Sequence, residues 1–95
     1  MRNRASWMNK ATDPVLELLA DTGYALPSGV IYYNLSHKEQ TDVSRRTVLR
    51  ALDPLKKHGL VKIADETETY YEITDKGRKY LSGELDAEKL ESEMS

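Results

Sequence analysis

The stretch Val43-Ser44-Arg45-Arg46-Thr47-Val48-Leu49-Arg50-Ala51-Leu52-Asp53-Pro54-Leu55-Lys56-Lys57-His58-Gly59 decides how this chain folds. At about 100° per residue, Val48, Ala51, Leu52 and Leu55 fall on one side of a helix, while Arg46, Arg50, Asp53 and Lys57 fall on the opposite side. Ser44 is placed as N-cap, its oxygen offered to free amides of the first turn. Val43 before it can pack on Val48, four positions into the helix. His58 and Gly59 close the segment: a ring that can carry positive charge near the carbonyl end, then a residue that tolerates left-handed geometry. The spacing predicts a helix over about 44–58. Pro54 lies inside it and deletes one backbone hydrogen bond, which predicts a kink near residues 50–54.

Upstream, Asp13 and Pro14 form a helix start, since Asp caps free N–H groups and the fixed φ of Pro suits the first helical position. Val15, Leu16, Leu18 and Leu19 follow and Gly23 stops the run, giving a helix over roughly 14–21. Residues 24–26 read as extended. Pro27 and Ser28 open a short apolar helix holding Val30, Ile31, Tyr33 and Leu35, and the polar residues 36–42 read as a turn or loop. Downstream, residues 60–64 and 69–74 are rich in β-branched and aromatic types and predict two strands, joined through 65–68 as an antiparallel hairpin. Thr74 or Asp75 caps a further helix over 76–81 that Gly83 ends. Leu85, Ala87, Leu90 and Met94 among acids predict a last amphipathic helix. The division is an arm over 1–12 whose Trp7 docks on the rest, a domain over 13–83, and an acidic helix or tail over 84–95.

With 95 residues there is room for one domain at most. The absence of Cys excludes disulfides, thiolate chemistry and Cys-based zinc sites. The longest apolar run, 29–33, is far too short to span a bilayer, and charges occupy the N-terminus where a signal peptide would be apolar, so a soluble cytoplasmic protein without a membrane partner is expected. A formal charge of −2 argues at first against nucleic acid. Along the chain it separates into patches. Between residues 37 and 62, Lys38, Arg45, Arg46, Arg50, Lys56, Lys57 and Lys62 against Glu39, Asp42 and Asp53 leave +4. Residues 65–75 carry −5 and residues 84–95 carry −4, and patches rather than sums choose partners.

Catalytic constellations are missing. His37 and His58 lack the i, i+3 or i, i+4 partner that a metal site on one helix needs, and the serines read as caps or loop residues outside any nucleophile elbow. The five glycines are scattered, so no phosphate-cradling loop forms, and Asp65, Glu66 and Glu68 lack the Gly and spacing of a calcium loop. No enzyme, cofactor or metal is expected, and no small-molecule pocket is legible. What remains is a short helix, a tight polar turn and an amphipathic helix with Arg and Lys outward, the helix-turn-helix arrangement. In that reading Ser44 and Thr47 hydrogen-bond phosphate, Arg46 and Arg50 project one turn apart toward base edges, and Arg45 and Lys57 meet phosphate. By helix pattern alone, an ordinary solvated face is an equal alternative.

The run from Val43 to Leu52, with Leu55 and His58-Gly59-Leu60-Val61, resembles the recognition helix and its exit in winged helix-turn-helix regulators. The run Tyr71-Glu72-Ile73-Thr74-Asp75-Lys76-Gly77-Arg78-Lys79-Tyr80-Leu81 is similar to their wing exit, a Thr-x-x-Gly-Arg sequence opening the next helix. Trp7-Met8 before Asp13-Pro14-Val15-Leu16-Glu17, and Tyr80 through Asp86, look like small archaeal regulators related to the repressor of the haloarchaeal phage phiH. The resemblance implies an α+β winged helix-turn-helix, a three-helix core with a β-hairpin wing plus a C-terminal helix. It implies contacts to double-stranded DNA from Ser44, Arg45, Arg46, Thr47 and Arg50, with Lys62 at the hairpin base touching backbone. Its acidic hairpin tip departs from wings that place Arg or Lys in the minor groove: either the wing stays off DNA or the protein works in high salt. The apolar Trp7, Met8, Leu85, Leu90 and Met94 exceed what a minimal winged core needs and predict a homodimer. The competing function is a winged-helix protein-interaction module that uses the acidic hairpin and leaves DNA alone.

Overall fold

The structure, a computed structural model, describes residues 5–65, 67 and 69–84. Helix α1 (Thr12–Thr22) leads through strand β1 (Leu26–Pro27) to α2 (Ser28–Tyr33), which continues as a π-helical turn over Asn34–Lys38. Helix α3 (Arg45–Lys57), strands β2 (Val61–Asp65) and β3 (Tyr70–Ile73), and α4 (Asp75–Ser82) complete the order. This is the expected α+β architecture, three helices followed by an antiparallel hairpin and a further helix. The last amphipathic helix expected over 85–94 lies outside the described residues, as do Glu66 and Glu68 at the hairpin tip.

The stripe on α3 behaves as its spacing requires. Val48, Ala51, Leu52 and Leu55 are fully buried, against Val15, Leu16 and Leu19 of α1, Ile31 of α2 and Leu35 of the π-helical turn in one cluster. Each of the valine, leucine and isoleucine side chains contributes about 1.5–3 kcal/mol by leaving water. Val43 is buried in the same cluster as Val48, in keeping with a staple across the cap. Helix α3 runs without a break through Pro54.

Three local expectations are corrected. Helix α1 starts at Thr12 rather than Pro14, and Asp13 is not its cap. The Asn9 Oδ1 accepts the Ala11 N–H at 2.9 Å and the Thr12 hydroxyl at 3.3 Å, so a side-chain turn opens the helix earlier; Asp13 instead accepts the Tyr80 hydroxyl at 2.8 Å. Pro14 then sits at the third helical position, where a missing N–H is still harmless. Second, Pro27, expected to open α2, instead joins Leu26 at the end of the extended piece as a third strand: the two pair antiparallel with Tyr70 and Tyr71, giving the order β1-β3-β2. Pro is tolerated because β1 is an edge. Third, the polar loop begins later than residue 36. The buried Leu35 holds the chain helical, and the wide turn closes through the Glu39 N–H to the Asn34 carbonyl at 2.9 Å.

One cluster joins the exit of α3 to the wing. Gly59 adopts φ 80°, turning the chain so that Leu60 and Val61 enter the core. The Thr74 hydroxyl donates to the Gly59 carbonyl at 2.6 Å and accepts the Gly77 N–H at 3.1 Å, and the Thr74 N–H donates to the Leu60 carbonyl at 3.1 Å. Thr74 is therefore both the N-cap of α4 and a clamp on the α3 exit. Gly77 is the residue that lets the two segments approach: a Cβ there would overlap the Leu60 carbonyl oxygen and lie 2.6 Å from Ile73 Cγ1.

Gly77→Ala tests the clamp. Helix propensity alone favours Ala by about 1 kcal/mol. The overlap involves a backbone oxygen that no rotamer change can relieve, so the net effect is a loss of about 2 kcal/mol or more. Thermal unfolding of the variant is expected to drop by roughly 10 °C; an unchanged or raised midpoint would show that the approach is not tight.

Candidate nucleic-acid interface

Helix α3 turns its basic residues to solvent because its opposite side is core. Arg45, Arg46, Arg50 and Lys57 are exposed, and among the described residues none of the four pairs with a carboxylate. Arg46 and Arg50 lie one turn apart, about 6 Å along the axis at 1.5 Å per residue. Lys57, in the last turn, is about 10 Å further on and favourably placed near the carbonyl end of the helix. Arg45 behaves differently from the other two arginines. A Cβ on Gly29 would lie 3.6 Å from its Nη2, so its guanidinium leans on the first turn of α2 and spans the two helices of the motif.

The N-terminus of α3 is built as a donor site. Ser44 has φ −90° and ψ 162°, and its Oγ accepts the Thr47 N–H at 3.1 Å. Val48 N–H is bonded to the Ser44 carbonyl at 3.1 Å, which leaves the amides of Arg45 and Arg46 unbonded among the described residues. Ser44 Oγ and Thr47 Oγ1 lie 2.8 Å apart and share one hydrogen bond, so only one of the two hydroxyl hydrogens is left for an outside acceptor. The expectation that both hydroxyls reach phosphate is thereby reduced to one.

Lys62 is on β2 opposite Glu72, and its Nζ sits 3.1 Å from Glu72 Oε1. With the side chains 62% and 34% exposed, this pair is a weak one, about 0–1 kcal/mol, and an anion can displace the carboxylate. At the hairpin, the exposed Asp65 is partly occupied locally, its Oδ1 accepting the Thr67 N–H at 2.9 Å.

Of the residues expected at a dimer contact, Trp7 and Met8 are half-buried against the core of their own chain. Trp7 docks as expected from the arm, its ring stacked on His58 with centroids 4.3 Å apart and planes 11° apart. His58 is thus the C-cap of α3 and a platform for the arm. Leu85, Leu90 and Met94 lie outside the described residues.

Two residues at this surface were not singled out from the sequence. Asn9 donates through Nδ2 to the Thr47 carbonyl at 3.1 Å, tying the arm to the first turn of α3; the signal for it was an Asn three residues before the Thr that starts α1. Leu49 is 45% exposed on α3, and the signal was an apolar residue standing off the buried stripe. Elsewhere, a cleft of about 110 Å³ between α1 and the π-helical turn, lined by Glu17, Leu18, Asp21 and Glu39, is well below the usual size of ligand pockets. Among the described residues no cluster of His, Asp and Glu has metal-holding geometry, and no helix is long and apolar enough to cross a membrane.

Comparison with known proteins adds to this geometry. The family model described as winged helix-turn-helix phage repressor matches residues 1–93. A repressor protein of Halobacterium phage phiH is 36% identical over 93 residues, covering 96% of this chain and 98% of that protein. The crystal structure of the PhiH1 repressor-like protein from Haloarcula marismortui superposes with a TM-score of 0.73 at 30% identity, over 92% of this chain and 91% of that one. The phenylalanine–tRNA ligase alpha subunit of Archaeoglobus fulgidus is 32% identical over 68 residues, 72% of this chain but only 14% of that subunit.

The cap can be tested without DNA. Ser44→Ala is expected to cost about 1 kcal/mol, whereas Ser44→Asp, which keeps an acceptor for the Thr47 amide beside the positive end of the helix dipole, holds stability near wild type. Chemical denaturation midpoints of the three proteins check this; equal midpoints for Ala and Ser would show that the cap contributes nothing.

Proposed function

The chain belongs to the winged helix-turn-helix phage repressor family, and we propose that within this family of DNA-binding regulators it recognises a specific duplex sequence with α3 in the major groove. The observation that carries this reading is the set of arginines that, among the described residues, have no carboxylate partner, on the solvent side of a helix whose other side is the core. The amides of Arg45 and Arg46, with the one available hydroxyl of the Ser44–Thr47 pair, form a phosphate seat at the helix N-terminus. Arg46 and Arg50 reach base edges, where the two parallel donors of a guanidinium match O6 and N7 of guanine. Arg45, resting on α2, and Lys57, at the far end of α3, engage phosphates on either side. Lys62 exchanges Glu72 for a phosphate when the hairpin base approaches the backbone. No step of this needs a catalytic group.

The regulator acts as a homodimer, which matches the two-fold symmetry of a palindromic site. Support comes from Leu85, Leu90 and Met94, apolar residues spaced through an acidic segment. Trp7 and Met8, largely committed to their own protomer, add only their exposed edges. Sedimentation of the Leu85→Asp, Leu90→Asp double variant is expected to give a monomer where wild type gives a dimer; an unchanged mass would remove the tail from the interface.

Arg46→Ala and Arg50→Ala are each expected to cost about 1–3 kcal/mol on the preferred site and to relax base preference at one position. Lys57→Ala weakens all sequences alike and lowers the slope of log affinity against log salt by about 1. Band-shift titrations over a salt series measure both. Unchanged affinity in the two arginine variants, or binding that does not fall with salt, would defeat the reading.

A further inference from the structure

We propose that Leu49 reads the 5-methyl group of a thymine in the bound duplex, an inference that rests on the DNA-binding reading above. Among the described residues four large apolar side chains are exposed, Tyr24, Val30, Tyr33 and Leu49, and Leu49 alone of them is on α3. Its place there is specific. It follows Arg45 by four residues and Arg46 by three, so it lies one turn beyond both, and at about 100° per residue it projects between their directions. It also directly precedes Arg50. An aliphatic side chain is therefore set among three guanidinium groups, in the half of the helix that enters the groove first.

The chemistry of the groove leaves few partners for such a group. Phosphates and the donor and acceptor atoms of guanine, cytosine and adenine would lose water against a leucine and receive no hydrogen bond in return, which is unfavourable. The thymine methyl is the apolar feature of the major-groove edge, and its burial against an aliphatic side chain is favourable. The spacing adds a position. Leu49 is about 4.5 Å further along the helix than Arg46, comparable to one base step of about 3.4 Å, so the thymine sits within one or two steps of the base that Arg46 reads. Complementary charge favours DNA over a two-fold contact with a second copy, since such a contact through Leu49 would press Arg45, Arg46 and Arg50 against the same arginines of the partner.

The test uses the full chain and a duplex it selects from random DNA, with each thymine replaced singly by deoxyuridine, which lacks only the methyl. Fluorescence anisotropy is expected to show one thymine per half-site whose replacement weakens wild type about 4-fold, the value of one buried methyl-sized group at about 0.8 kcal/mol. Leu49→Ala is expected to bind the all-thymine duplex more weakly and to treat thymine and deoxyuridine alike at that position. Leu49→Met, which keeps apolar reach, retains the preference. Because Leu49 is half exposed, all three proteins should share an unfolding midpoint. Salt-sensitive binding with no deoxyuridine effect at any position, or a preference that survives in Leu49→Ala, overturns the proposal while leaving the DNA-binding reading intact. A Leu49→Ala protein that changes its oligomeric state and not its duplex affinity also overturns it. Absence of any salt-sensitive duplex binding by wild type overturns both.

Discussion

Four side chains on α3, Val48, Ala51, Leu52 and Leu55, fix the helix against rotation, and the rest of the structure depends on that constraint. All four are essentially inaccessible to water. A turn of the helix by one residue, about 100°, would bring charged positions to the core and expel aliphatic ones, at a cost of several kcal/mol for each uncompensated charge and about 1.5–3 kcal/mol for each exposed aliphatic side chain. The outward direction of Arg46 and Arg50 is thus not a separate specification. It is the same energetic fact as the core, seen from the other side, and it is why a chain of net charge −2 can present a concentrated basic surface.

The second constraint places the hairpin relative to that helix. Gly59 in left-handed geometry bends the chain, Leu60 and Val61 bury the start of β2, and Thr74 bonds both segments while capping α4. Gly77 supplies the closeness that this requires. Few side chains are involved, and each serves two elements at once. The hairpin is consequently a rigid extension of the α3 exit at its base, where Lys62 lies, whatever its acidic tip does.

Local chemistry was legible in the sequence and partnership was not. Ser44, Gly59, Thr74 and Gly83 were readable because a cap is decided within four residues, and α3 was readable because its period is strong. Of β1, Leu26 reads only as extended chain and Pro27 as a helix start, since a two-residue strand is defined by the strand it pairs with, and nothing in Leu26-Pro27 names Tyr70 and Tyr71. The π-helical turn was hidden because one buried leucine outweighs the polar residues around it that resemble a loop. Asp13 looked like a cap by type, yet Asn9 was nearer in effect and Tyr80 was a long-range claim on its carboxylate. The same division holds at the candidate interface. The residue types on α3 were legible, whereas the hydrogen bond shared by Ser44 and Thr47, the lean of Arg45 onto α2 and the Lys62–Glu72 pair are products of the fold.

The separation of charge has a consequence for how such a surface can discriminate. A phosphate contact made by an exposed cation weakens as salt rises, because the release of counterions becomes less favourable. Repulsion from the acidic hairpin weakens with it, since screening shortens from about 8 Å at physiological ionic strength to about 3 Å at 1 M. Terms that depend on contact survive: paired donors of a guanidinium against a base edge, and an apolar group against a methyl. In the proposed complex, binding therefore shifts, as ionic strength rises, from the exposed cations of α3 as point charges toward the geometry of Arg46, Leu49 and Arg50. An acidic wing and tail, which would handicap a non-specific binder in dilute salt, then cost little and subtract chiefly from the sequence-independent part of the affinity.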